Sequence, residues 1–173
     1  MAKHTTAFLM DLMVSSSHES HKNVFTSLSI ATRCVSGYEE ISGQCYKLYL
    51  TYASWYQATE QCRADGAQLA SIHSHTESKD LFHHFHGRTH HKPYHGGLFW
   101  IGASKLRAGN TWEWWDGTAW DYANLDGSVK ADTESNCLAM KWAWDGNWVD
   151  VPCMKIGHRI PFYCKMKKIK SES

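Results

Sequence analysis

The stretch "CLAMKWAWDGNWVDVPC", Cys137 to Cys153, decides how the rest of the chain is read. Two cysteines bound it, Trp142, Trp144 and Trp148 crowd it, and Asp145-Gly146 places a strong hairpin signal between apolar flanks. In its first arm Leu138, Met140, Trp142 and Trp144 alternate with Ala139, Lys141 and Ala143. That period of two predicts a strand with its tryptophans on the buried side. The segment can serve as the tryptophan-rich core of a small domain, as a ligand platform, or as half of a metal site that would use Asp150.

Working outward, the flanking pattern is β with turns. "TWEWWDGTAWDY" carries a second hairpin signal at Asp116-Gly117, "LFWIGA" is a continuous apolar run of strand type, and "RIPFYC" supplies a last strand ending at Cys164. Further upstream, "TYASWYQATEQCRADG" spaces Trp55, Ala58 and Cys62 as one helical face, with Thr51 or Ser54 as cap and Gly66 as stop. "AQLASIH" reads as a short strand, and Ser74 three residues before Glu77 opens a second helix in "SHTESKDLFHHF". "CVSGYEEISGQCYKLY" places Ser42-Gly43 between apolar runs, so that a hairpin would bring Cys34 towards Cys45.

The whole chain has 173 residues, enough for one domain with a core and too few for two ordinary ones. A formal net charge of +1 gives no long-range field to gather nucleic acid or an anionic membrane. No run approaches the roughly 20 apolar residues of a membrane span. The 6 cysteines include no CxxC couple of the kind a structural zinc site needs, so an oxidised framework and a secretory compartment are expected. Residues 1–33 read as leader and linker: Lys3 and the apolar run from Ala7 to Val14 have weak signal-peptide character, interrupted by Asp11. Residues 165–173 read as a basic, solvated tail.

Taken in order, "WYQATEQCRADGAQLASIHS", "WIGA", "WEWWDGTAWDY" and "NWVDVPC" resemble the successive motifs of the C-type lectin-like domain, from Cys34 to Cys164. The resemblance implies an α+β fold: two helices packed on small antiparallel sheets, with a long loop region from about Gly109 to Asp132. It also implies one of the 15 pairings open to six cysteines: Cys34 with Cys45, Cys62 with Cys164, and Cys137 with Cys153.

In sugar-binding members of that family, calcium is held by a Glu-Pro-Asn or Gln-Pro-Asp loop, a later acidic residue and the Asn-Asp of a Trp-Asn-Asp segment. Here the loop position reads Val129-Lys130-Ala131 or, counted back from Cys137, Gly127-Ser128-Val129. Val149 stands where the last asparagine should be. Calcium takes 6 to 8 oxygens, and only Asp150 and Glu134 remain as family-type ligands. No cofactor is therefore required, and calcium is not expected at the usual site. A shifted site would have to draw on Asn124, Asp126, Asp132, Glu134 and Ser135, residues that otherwise solvate an exposed loop.

Eight of the 12 histidines lie between His73 and His95. His83 and His86 are spaced i, i+3, and His90, His91 and His95 follow in a loop that could close on them as a metal site. The alternative is a histidine-rich polar surface. Trp55, Trp100, Trp114 and Trp148 occupy core motif positions, whereas Trp115, Trp120 and Trp144 are candidate binding aromatics. No GxSxG, HExxH or P-loop pattern occurs, so an enzyme is not expected. The expectation is a secreted module that recognises glycan or protein ligands through its long-loop region. A calcium-dependent lectin with a shifted site and a histidine-based metal-binding protein are the alternatives.

Overall fold

The structure is a computed structural model that describes residues 32–86, 97–107, 109–129, 136–154 and 159–170. In chain order its elements begin with β1 (Thr32–Arg33), β2 (Glu39–Ile41), β3 (Gln44–Ala53), α1 (Trp55–Ala64), β4 (Gln68–Leu69) and α2 (His75–His86). They continue with β5 (Leu98–Ser104), β6 (Glu113–Trp114), β7 (Cys137–Lys141), β8 (Trp148–Val151), β9 (Ile160–Met166) and β10 (Ile169–Lys170). The fold is α+β. An 8-stranded sheet runs β2-β3-β9-β5-β7-β8, with β4 on β9 and β6 on β5, and β1 pairs β10 separately. All ladders are antiparallel except the contact of β5 with β9 through Trp100 and Phe162.

Helix α1 starts where its sequence says it should. The Ser54 hydroxyl accepts from the Gln57 N–H, and the Gln57 side chain accepts from the Ser54 N–H, a reciprocal cap that satisfies two otherwise unpaired donors. Trp55, Ala58 and Cys62 are buried on one face of the helix, and Gly66 beyond it adopts φ +72. In α2, Ser74 accepts from Glu77 N at 3.1 Å, but the Glu77 carboxylate turns inward to the His73 N–H at 2.6 Å instead of completing the reciprocal bond.

Trp55, Trp100, Trp114 and Trp148 are fully buried. Two of them tie elements together: Trp55 Nε1 of α1 donates to Ile101 O of β5, and Trp100 Nε1 of β5 to Ala53 O at the end of β3, both at 2.9 Å. Between them Gly102 lets β5 approach the β4 segment, since a Cβ there would lie 2.5 Å from Leu69 O. All six cysteines are bridged, as Cys34–Cys45, Cys62–Cys164 and Cys137–Cys153. The second bridge joins α1 to β9 across 102 residues of sequence. No helix among the described residues is long and apolar enough to cross a membrane.

Four sequence expectations need correction. The alternation in β7 stops at Lys141, and Ala139 is as buried as Leu138 and Met140, because β7 is central between β5 and β8 and covered on both faces. Trp142 lies beyond that strand and is half-buried. Asp116-Gly117 makes a turn, Gly117 N donating to Trp114 O at 3.1 Å, but among the described residues 118–129 no strand returns from it. Finally, the described part of the basic run is not a tail, nor are Thr32 and Arg33 linker: β9 continues to Met166, and the β1–β10 ladder pairs Thr32 with Lys170 and Arg33 with Ile169.

Candidate functional site

The long loop leaves β6 at Trp114 and is held down in two stages. In the first, the Asp116 carboxylate accepts from Thr118 N at 3.0 Å and Thr118 Oγ1 at 2.6 Å through one oxygen, and from Ser71 Oγ at 2.7 Å through the other. Burial acts to raise the Asp116 pKa, but these donors outweigh it and keep the carboxyl below its usual range. Trp120 then packs on Trp114 and Trp148 at centroid distances of 4.8 and 6.1 Å, and Tyr122 meets Trp148 edge-on at 5.6 Å.

In the second stage the loop zips onto the start of β8. Trp148 N donates to Asn124 O at 2.8 Å, and Asp126 N donates to Trp148 O at 2.7 Å. The Asn124 amide donates to Gly146 O at 3.3 Å. Asp126 accepts from the Lys141 ammonium at 2.7 Å and from Ser128 N at 2.9 Å. The Lys141 hydrogen bond, reinforced by Ser128, holds the Asp126 carboxyl well below the usual carboxylate range.

This geometry sorts the candidate residues. Asn124 and Asp126 are brought together, the Asp126 carboxylate already accepting from Lys141 and Ser128 and the Asn124 NH2 donating to Gly146 O. Asp150 lies half-buried in β8, opposite Leu138 in the ladder. Asp132, Glu134 and Ser135 lie outside the described residues. Among the described residues no three His, Cys, Asp or Glu side chains group as a metal site.

The aromatic candidates also divide. Trp120 is half-buried, and Leu125 beyond it is exposed. Trp115 is covered: the Arg107 guanidinium sits 4.3 Å over its ring, and Trp55 meets it edge-on at 5.0 Å. Trp144 belongs to the tight turn between β7 and β8, where Asp145 and Gly146 both take positive φ; the described structure does not extend to its side chain. In the histidine-rich region, His84 pairs with Glu39 at 2.9 Å and His86 stacks on Trp142 at 4.4 Å, while His83 is exposed. His90, His91 and His95 lie outside the described residues.

Sequence reasoning missed Lys141, the partner of Asp126, and the cluster of Ser71, His73, Asp116 and Asp121. The Asp-Gly-Thr turn was a visible signal for Asp116. Nothing local marks Lys141 as an ion-pair partner, because its carboxylate lies 15 residues away.

The family model for the lectin C-type domain matches residues 51–166. The chain belongs to the C-type lectin domain family. Its C-type lectin domain is similar to part of the versican core protein of Rattus norvegicus, 32% identical over 134 residues, which are 75% of this chain and 4% of that protein. It is also similar to the type-2 ice-structuring protein of Brachyopsis segaliensis, 31% identical over 121 residues, 69% of this chain and 66% of that one. The chain thus spans only a small part of versican and about two thirds of the ice-structuring protein. Among solved structures, a calcium-independent type II antifreeze protein superposes with a TM-score of 0.67 at 27% identity, covering 80% of this chain and 98% of that one.

Proposed function

We propose that the domain is a secreted, non-enzymatic recognition module that binds glycan or protein surfaces through residues 120–129 and the adjoining β7–β8 hairpin, without the calcium-dependent sugar site. The observation that carries this reading is the Asp126–Lys141 ion pair, with the Asn124 amide turned to Gly146 O. A calcium ion would have to strip a carboxylate from an ammonium and gather the rest of its 6 to 8 oxygens from a loop without the family motif. The fully bridged cysteines support an oxidising, extracellular setting.

A glycan array run with and without chelator tests the reading. Binding that survives chelation supports it, and binding abolished by chelation and restored by calcium favours a shifted calcium site. A second reading, recognition of an ice surface, draws on the likeness to the ice-structuring and antifreeze proteins and on the exposed small side chains of Thr118, Ala119, Ala123 and Ser128. A thermal hysteresis measurement separates it from the first.

A further inference from the structure

His73 lies between β4 and α2, beside an open groove of about 730 Å³ that also passes Ser71, Asp116, Thr118 and Lys165. Its ring nitrogens face two partners: Nδ1 is 2.7 Å from Asp121 Oδ1, and Nε2 is 3.2 Å from Ser71 Oγ. The outline is that of a serine–histidine–aspartate triad, in which the serine proton passes to the histidine. A count of hydrogens gives a different assignment. A hydroxyl has one hydrogen to donate, and Ser71 donates it to Asp116 Oδ2 at 2.7 Å. Ser71 is also buried, at 1% exposure, which is poor access for a nucleophile.

With that hydrogen spent, Ser71 Oγ offers His73 only a lone pair, so Nε2 must carry a hydrogen to bond it. Asp121, held below the usual carboxylate range first by its hydrogen bond from His73, offers only lone pairs to Nδ1. Both ring nitrogens donate together only in the imidazolium. The charged groups around the ring fit that state. Glu77 of α2 accepts the His73 N–H but is neutralised by Lys165 of β9 at 2.7 Å, and takes the Tyr46 hydroxyl of β3 as a further donor. Asp80 of α2, which lines a cavity with His73, accepts from the Ser42 hydroxyl, and Asp116 and Asp121 of the loop meet the ring through Ser71 and directly. His75, at the first turn of α2, reaches the Tyr122 hydroxyl at 3.4 Å.

We propose that His73 is a positioning residue for the binding loop: its imidazolium clamps Asp121, fixing Trp120 and Tyr122 on either side, and loss of its proton loosens that clamp. The inference rests on the reading of this loop as the recognition surface. A neutral ring keeps one hydrogen: on Nε2 it leaves Asp121 without its donor, and on Nδ1 it leaves Asp121 a hydrogen bond stripped of the imidazolium's charge while Nε2 no longer donates to Ser71. In both cases the hold of the β4–α2 segment on Asp121 weakens, because a charge-assisted hydrogen bond is replaced by a neutral one or by none.

The test is an NMR titration of the full chain between about pH 5 and 8, the range in which histidine changes charge, with no ligand present. It follows the His73 ring nitrogens, the Trp120 indole N–H, and the Asp121 and Tyr122 amides. The loop signals are expected to shift with the His73 transition. His73→Gln keeps a donor for Asp121 without a titrating ring, and Asp121→Asn alters a side chain that is 52% exposed. Both variants are expected to keep a dispersed spectrum and lose the shift. Loop signals that stay fixed through the wild-type transition, or move equally in both variants, overturn the proposal. Because no ligand enters the measurement, a failed glycan array leaves this result untouched.

Discussion

Lys141 Nζ lies 2.7 Å from Asp126 Oδ2, so that the last residue of β7 supplies the positive charge that meets the loop's carboxylate. In Lys141→Met the loop loses this anchor but keeps its backbone bonds to β8. Hydrogen exchange is expected to quicken at residues 124–129 while the melting temperature stays within about 4 °C of wild type. Uniform acceleration across the sheet would contradict a local role. Added calcium is expected to leave the wild-type melting temperature unchanged, measured by calorimetry.

Trp120, half-buried, and Leu125, exposed, are the large apolar side chains offered here as ligand contacts. Trp120→Ala is expected to weaken capture of whatever glycan the array identifies by at least tenfold, about 1.4 kcal/mol, whereas Trp115→Ala acts through folding because Arg107 and Trp55 already cover that ring. Equal affinities for wild type and Trp120→Ala, by calorimetric titration, would remove the loop from the binding surface.

The Cys62–Cys164 bridge closes a long loop, and the chain-entropy argument assigns such a bridge up to about 4.7 kcal/mol. Replacing both cysteines by alanine is expected to cost more stability than losing either hairpin-local bridge. Denaturant melts of the three double variants give the order directly.

Glu77 links the interior to acid stability. Burial acts to raise its pKa, but hydrogen bonds from Lys165, Tyr46 and the His73 N–H overcome it and hold the carboxyl below its ordinary 4.5. A carboxyl whose folded pKa is depressed contributes in full above its unfolded value, and the contribution is lost as pH falls through the folded one. Stability is therefore expected to decline from about pH 4.5 downward. Glu77→Gln leaves the Lys165 ammonium, 12% exposed, without its counter-charge and is expected to cost about 3 kcal/mol at neutral pH. It should also flatten the acid decline, which thermal melts between pH 7 and 3 would detect.

Gly102 admits no side chain. A Cβ 2.5 Å from Leu69 O forces β5 away from the β4 segment, so Gly102→Ala is expected to destabilise by about 1–3 kcal/mol. Near-native urea stability would show that the two segments separate freely.

The parts of the fold legible in the sequence are those set by local chemistry. Ser54 and Gln57 cap α1, Asp145-Gly146 turns β7 into β8, and four tryptophans fill the core at the positions their motifs imply. The alternation that assigned Trp142 and Trp144 to one buried face failed because it was extended past Lys141, where the strand ends. The short pairing of Thr32 with Lys170 was unreadable, since two-residue strands carry no periodicity and their partner is remote. At the candidate site, the asparagine missing at Val149 was legible only through the resemblance of "NWVDVPC" to the family's Trp-Asn-Asp segment. The Lys141 ammonium and the His73 cluster were not, because each depends on a tertiary approach between segments with no shared pattern.

The β1–β10 ladder has a consequence for how such a domain is carried. Since Thr32 faces Lys170, the backbone enters and leaves at neighbouring points, like a bead whose thread passes in and out through one hole. Sequence joined at either point emerges next to the groove that Ile169 shares with His73, Asp116 and Thr118, and in the versican relatives a matching stretch makes up only 4% of the protein. Fusions placed at these two neighbouring points are therefore expected to stand beside the histidine clamp, and a spacer after Lys170 is needed to keep that groove open.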